Sequence, residues 1–273
     1  MIYFVGAGPG SEDLITVRGQ RCLTEADIVI YAGSLVNPAL LNNTKEDCQI
    51  YNSAYMTLPE VIQVMEEGEK AGKMTVRLHT GDPSLYGAVR EQMEELQRRN
   101  IAWEVCPGVS SFCGAAAALS LEYTLPGISQ SVIITRSEGR TAVPEKESLR
   151  SLAAHQATMV LFLSSGLAEE VSRELIGGGY APDTPAAVVY KATWPEERKF
   201  VTTLSLLPER MKEEGISRTA LIIVGNVIDS GFERSKLYDP CFTTGYRKGI
   251  DTQNAGKEKG YESRNDCLQR SSI

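Results

Sequence analysis

Short apolar runs punctuate the chain at 2–6, 28–31, 74–79, 101–106, 131–135, 158–163, 185–190, 199–203 and 219–225, each the length of a buried strand. Between them the spacing turns helical. Leu58, Val61, Ile62 and Met65 recur at i, i+3, i+4 and i+7, and Tyr86, Val89, Met93 and Leu96 follow at intervals of three and four. Strands alternating with amphipathic helices predict βα units around a mainly parallel sheet, so the class is α/β. The alternation breaks near 120–130, where "SLEYTLPGISQ" brings in Pro126 and Gly127. Beyond it "SVIITR", "TMVLFLS" and "PAAVVY" follow in quick succession and predict a second sheet. The expected division is 1–122, 123–235 and a tail over 236–273. That tail includes the polar "KGIDTQNAGKEKGYESRNDCLQRSSI", which has too little apolar surface to offset its ordering entropy and is expected to be largely disordered.

Composition narrows the function. The 273 residues are 42% hydrophobic and 23% charged, with a formal charge of −7 and a pI near 5.1. An acidic field disfavours nucleic acid as a partner, and any polyanionic small molecule must be held by a local basic patch. No run approaches the roughly 18 apolar residues of a membrane helix. Glu12 and Asp13 interrupt any secretory signal, so a cytoplasmic location is expected. Six cysteines without a C-x-x-C pair, beside only His79 and His155, argue against a structural metal site.

The first strand runs into "VGAGPG", which raises the question of a dinucleotide pyrophosphate loop. The fingerprint needs a third glycine and an acidic residue closing the second strand. Here Ser11 holds the glycine position, and the second strand ends in Tyr31, Ala32, Gly33 and Ser34. Both features fail. Two later loops also leave strands: "RLHTGDPSLYG", with Gly81, Asp82 and Pro83, and "CPGVSSFCGAAAA", with Ser110 and Ser111 where a helix begins. Loops at the carboxyl ends of parallel strands converge on one crevice. Basic candidates for anions are Arg136 and Arg140 in "TRSEGRT", and Lys191 and Arg198 in "VVYKATWPEER". His79 is a candidate acid–base group, although a histidine ending a buried strand is more often structural. Spacing yields no Ser–His–Asp set and no carboxylate pair.

Taken in order, "VGAGPGSEDLITVRG", "HTGDPSLYG", "CPGVSS", "VVYKATWPEE" and "RTALIIVG" resemble the motifs of the tetrapyrrole (corrin and sirohaem) methyltransferase family over roughly residues 1–247. Within it, "YAGSLV", "TLPGISQSVIITRSEGRT", "KATWPEER" and "SKLYDPCFTTGYRKG" are most similar to the branch that methylates precorrin-4 or cobalt-precorrin-4 at C11. The uroporphyrinogen III branch carries "YDRLV" where this chain has "YAGSLV", so its proposed catalytic aspartate is replaced by Ala32. The resemblance implies two α/β domains, a homodimer, and S-adenosyl-L-methionine in the cleft between the domains, leaving as S-adenosyl-L-homocysteine. It implies a cofactor pocket of Pro9, Thr80, Gly81, Asp82, Leu85, Ser110, Ser111, Leu163, Ala192, Thr219 and Ala220. In that pocket Asp82 and exposed backbone groups would hold the methionine amine or the ribose. A substrate bearing many carboxylates would meet Arg136, Arg140 and Lys191, whose charges suit such groups. The branch's tail and "KATWPEER" segments favour the cobalt form. No catalytic base is identified.

Overall fold

A computed structural model describes residues 1–229, 231 and 233–250. Ten strands form two five-stranded sheets. The first has the order β3-β2-β4-β1-β5, from β1 (Ile2–Gly6), β2 (Ile28–Tyr31), β3 (Gln49–Asn52), β4 (Thr75–His79) and β5 (Trp103–Cys106). All its pairings are parallel. Three helices serve this sheet: α1 (Val17–Glu25), α2 (Leu58–Lys70) and α3 (Val89–Arg98). Val5, Leu23, Val29, Val76 and Leu78 are buried together on one face. On the other face Ile2, Phe4, Ile30, Ile62, Met65 and Leu96 are buried together.

The second sheet, β6-β7-β10-β8-β9, comprises β6 (Val132–Arg136), β7 (Thr158–Phe162), β8 (Pro185–Tyr190), β9 (Arg198–Thr203) and β10 (Ala220–Val224). Only β6 and β7 run parallel; the other three pairings are antiparallel. The expectation of mainly parallel pairing therefore holds for the first sheet and not for the second. The reason is burial. Helices α5 (Leu149–Ala153), α6 (Ala168–Gly177) and α7 (Leu207–Glu213) help enclose one face. Helix α4 (Ser111–Leu119) covers part of the other, where Ala115 packs with Val160, Ala187, Leu221 and Ile223. Strands buried on both faces lose the alternation that usually marks an antiparallel sheet.

Two further differences bear on the site. Strand β3 has only Ile50 and Tyr51 as apolar residues and lies at an edge, so no apolar run announced it. Tyr86, expected in line with the helix, lies outside α3. It takes φ 55° in the turn before the helix, and Ala88 at the helix N-terminus takes φ 49°. Of the tail expected to lack order, residues 236–250 contain a short 3-10 turn, Lys236–Tyr238. Arg247 Nη2 donates there to the carbonyls of Leu237 (2.9 Å) and Asp239 (2.6 Å). Residues 251–273 lie outside the described residues. Among the described residues no helix is long and apolar enough to cross a membrane, and no cluster of three or more His, Cys, Asp or Glu could hold a metal ion.

Candidate active site

Three loops leave the carboxyl ends of the adjacent strands β4, β1 and β5, and their backbones touch. A Cβ on Gly6 would stand 2.5 Å from Gly108 Cα and 2.6 Å from the Gly81 carbonyl oxygen. A Cβ on Gly108 would overlap that same carbonyl. Gly8 and Gly81 also exchange backbone hydrogen bonds, Gly81 N–H to Gly8 O at 2.8 Å and Gly8 N–H to Gly81 O at 3.2 Å. Glycine is required here because only bare backbone lets three loops meet.

Asp82 fastens the same junction. One carboxylate oxygen accepts from Gly108 N–H (2.7 Å), and the other accepts from Ser84 N–H (2.8 Å) and the Ser84 hydroxyl. Burial pushes its carboxyl up, but these three donors outweigh burial and hold it below the usual aspartate range. Thr80 and Leu85 flank it, half-buried. Ser110 caps α4 without a side-chain capping bond, and Gly81 faces it closely: a Cβ there would lie 3.4 Å from both Ser110 Cα and Ser111 N.

The second sheet contributes the opposing rim. Register places Phe162 level with Arg136, and the antiparallel partners Tyr190 and Ala220 at the same edge. Just beyond these strand ends, Leu163 (φ 53°), Lys191 (φ 46°), Thr193 (φ 68°) and Thr219 (φ 56°) all adopt left-handed backbone. Such conformations cost energy for residues other than glycine and gather at functional sites. Lys191 N–H donates to Thr219 O at 2.9 Å, and Ala192 beside it is buried.

Two contacts join the rims. On one side Trp194 lies against Gly10, where any Cβ would collide with the indole, and its Nε1–H donates to Pro9 O at 3.1 Å. Ser11 N–H donates to Thr193 Oγ1 at 3.0 Å, and Pro9 packs on Gly114 of α4. On the other side Tyr86 meets Phe162, with ring centroids 5.4 Å apart. The opening turn is thus clasped by the β8–β9 loop. A single 3-10 turn, Glu12–Leu14, with Glu12 and Asp13 at its start, follows directly, and α1 begins only at Val17, so no α-helix N-terminus faces the turn to receive a pyrophosphate.

The structure brings all eleven expected cofactor residues to these facing strand ends or the loops beside them. The basic residues stand differently. Arg136 directs its guanidinium into its own loop, donating to the carbonyls of Ser137 (3.0 Å), Glu138 (2.8 Å), Thr141 (3.0 Å) and Ala142 (2.9 Å). Arg140 is exposed at the tip of that loop. Lys191 lies 3.6 Å from Glu196 and over the Trp194 ring, 5.0 Å from its centroid. Arg198, at the start of β9, lies over Tyr190. His79 is buried inside the first sheet, where desolvation and the Arg77 charge push its pKa down to about 3; it does not face the cleft as an acid–base group. Thr193, Trp194 and Tyr86 were not expected as site residues: Tyr86 read as part of a helix, and Thr193 and Trp194 only as letters of the "KATWPEER" segment. The one sequence signal was Gly10, whose missing side chain leaves the room that the Trp194 indole fills.

The sequence profile of the Tetrapyrrole (Corrin/Porphyrin) Methylases matches residues 1–208. The chain is 53% identical over 248 residues, 90% of its length and 96% of the relative's, to the cobalt-precorrin-4 C(11)-methyltransferase of Methanocaldococcus jannaschii. Among solved structures, a cobalt precorrin-4 methyltransferase described as a cobalamin biosynthetic enzyme matches with TM-score 0.82 and 47% identity, over 84% of this chain and 96% of that one. The uroporphyrin-III C-methyl transferase of Thermus thermophilus, in complex with S-adenosyl homocysteine, matches with TM-score 0.70 and 28% identity, over 84% and 93%. The chain belongs to the tetrapyrrole (corrin/porphyrin) methylase family.

Proposed function

We propose that this chain is an S-adenosyl-L-methionine-dependent C-methyltransferase that methylates cobalt-precorrin-4 at C11 in cobalamin biosynthesis, working as a cytoplasmic homodimer. The observation that carries this reading is the near-full-length similarity to the Methanocaldococcus jannaschii enzyme. The cleft is consistent with it. Gly6, Gly81 and Gly108 let the three loops close on one another, and at that junction the first turn of α4 presents N–H groups beside Ser110 and Ser111. Those features fit a zwitterionic methionine moiety and a ribose. Pro9, Thr80, Gly81, Asp82, Leu85, Leu163, Ala192, Thr219 and Ala220 complete the pocket in this reading. Asp82 acts there chiefly by bracing the loops, since three donors already occupy its oxygens.

When bound, the cofactor supplies an electrophilic sulfonium methyl group. The chain's own task is then alignment of an electron-rich carbon with that methyl, and exclusion of water. The two cross-cleft contacts, Trp194 with Pro9 and Tyr86 with Phe162, hold the rims at fixed separation. Arg140 and Lys191 meet the substrate carboxylates, and Arg136 supports them by shaping the loop that carries Arg140. Mass spectrometry of reactions with cobalt-loaded and metal-free precorrin-4 tests the reading. Addition of one methyl group, faster on the cobalt form, is expected; no methylation of either would overturn it.

A further inference from the structure

The described chain ends in an arm, residues 234–250, that folds on itself and shows its side chains outward. Arg247 draws it together by donating to the carbonyls of Leu237 and Asp239. Ile250 N–H donates to Pro240 O at 2.9 Å, and Gly249 lies so close to the Cys241 carbonyl that a Cβ there would overlap it. No residue of the arm is buried. Leu237, Tyr238, Phe242, Tyr246 and Ile250 are all exposed, Tyr238 by 82%. The charge is one-sided as well. Arg234, Lys236, Arg247 and Lys248 stand against one carboxylate, Asp239, in a chain whose formal charge is −7. A braced loop with free aromatic faces and a cationic excess has the make-up of a docking element.

The arm leaves the body away from its own cleft. Glu233, which precedes it, donates its N–H to Pro126 O at 3.4 Å and covers Gly127. That turn sits by the start of β7, where Thr158 N–H donates to Ser129 Oγ at 3.0 Å and the Thr158 hydroxyl to Tyr123 O at 2.8 Å. The cleft lies at the other end of β6 and β7. A second arm is no partner, because two cationic arms repel. The complement is an acidic surface with exposed apolar groups, and the free edge of the first sheet carries one. Strand β3 pairs only with β2, so its outer backbone groups are open. The stretch 46–55 around it holds Glu46 and Asp47 and no cation, and it exposes Ile50 (45%) and Tyr55 (87%). Of the lysines beside it, Lys45 is paired with Asp27 at 2.8 Å, and Lys73 shares a hollow with Glu67 and reaches Gln49 Oε1 at 3.3 Å. We propose that the arm docks on the β3 edge of a second copy of this chain, and that two such contacts, related by twofold symmetry, hold the homodimer together. This inference deepens the homodimer of the proposed function and rests on it.

Sedimentation velocity over a range of concentrations compares the parent chain with Lys236→Glu/Lys248→Glu on the arm, Glu46→Lys/Asp47→Lys at the edge, and all four changes combined. These four side chains are exposed, so the variants are expected to keep the fold, read from their urea midpoints. The parent is expected to be a dimer. Either pair of changes alone sets like charges together and is expected to raise the dimer dissociation constant at least about tenfold, and the combination to return it to within about threefold of the parent. Tyr238→Ser/Tyr246→Ser, which removes aromatic area and keeps every charge, is expected to loosen the dimer by a similar factor. A dimer that neither pair loosens, or a combination no tighter than the weaker pair alone, overturns the assignment and leaves the homodimer intact. A monomeric parent overturns the homodimer, and the assignment with it.

Discussion

Single residues set the geometry of the cleft through what they lack as much as through what they offer. Gly108 meets the Gly81 carbonyl and Gly6 Cα, so neither neighbour can yield as a flexible side chain would. Gly108→Ala is expected to destabilise the protein by about 3 kcal/mol, at the upper end of overpacking costs, in urea unfolding. Gly72→Ala, where φ is +68° but no atom lies within 4 Å, should cost only about 1 kcal/mol of backbone strain. His79 makes a different kind of claim. It is buried, its Nε2 has no hydrogen-bond partner among the described residues, and its pKa is pushed down to about 3. The unfolded chain, with histidine near its ordinary 6.5, binds the proton more readily. Stability from this group is therefore complete above about pH 6.5 and is lost as pH falls toward 3. His79→Leu should flatten that acid limb without lowering stability at pH 8, measured as urea midpoints across pH. An acid limb of unchanged slope would contradict the account.

At the scale of elements, nine of the strands were legible, most as compact apolar runs of strand length and β9 from its short β-branched and aromatic stretch, and α2 was legible because its spacing is regular. Two things were not. β3 carries no apolar run, and it is defined only by its pairing to β2. The direction of β8 and β10 was hidden because strands covered on both faces look alike whether parallel or antiparallel, and β9, at the exposed edge, is fixed only by its pairing to β8. The site was partly legible. Its glycines and small residues sit in loops next to strands, whereas Trp194 and Tyr86 act across the cleft from positions far apart in sequence. The Arg136 fork illustrates the limit, since spacing shows a charge but not the carbonyls that claim it. Buried support for the Thr80–Gly87 loop comes from β4 and α3. Arg77, buried and lowered to about 10 by desolvation, donates from Nε to Gln92 Oε1 at 3.0 Å, and Gln92 Nε2 donates to Ala88 O at 3.0 Å. Gln92→Ala leaves both partners without that amide. It should cost about 1–3 kcal/mol in thermal or urea unfolding. A neutral effect would show that the loop stands without this support.

In the whole molecule two sheets are tied by helix α4 and by contacts on both sides of the cleft, Tyr86 with Phe162 on one and a clasp on the other. Helix α4 follows the first sheet in the chain yet packs on the second, and Tyr123 beyond it donates its hydroxyl to Phe112 O at 2.7 Å. The clasp is Trp194 against Gly10 and Pro9. Trp194→Ala should lower stability by about 3 kcal/mol, and weaken S-adenosyl-L-methionine binding by freeing the opening turn. Calorimetry showing unchanged cofactor affinity would separate the clasp from the site. The opening turn thus bridges the two units, and the cleft it helps to frame is the seat proposed for methyl transfer. The most direct test of that proposal is the position of the methyl group. Cobalt-loaded precorrin-4 would be incubated with the protein and S-adenosyl-L-methionine carrying a ¹³C-labelled methyl group, and the product would be read by carbon NMR. A single labelled methyl on C11 is the predicted result. Label at another carbon, or none incorporated, would contradict the account.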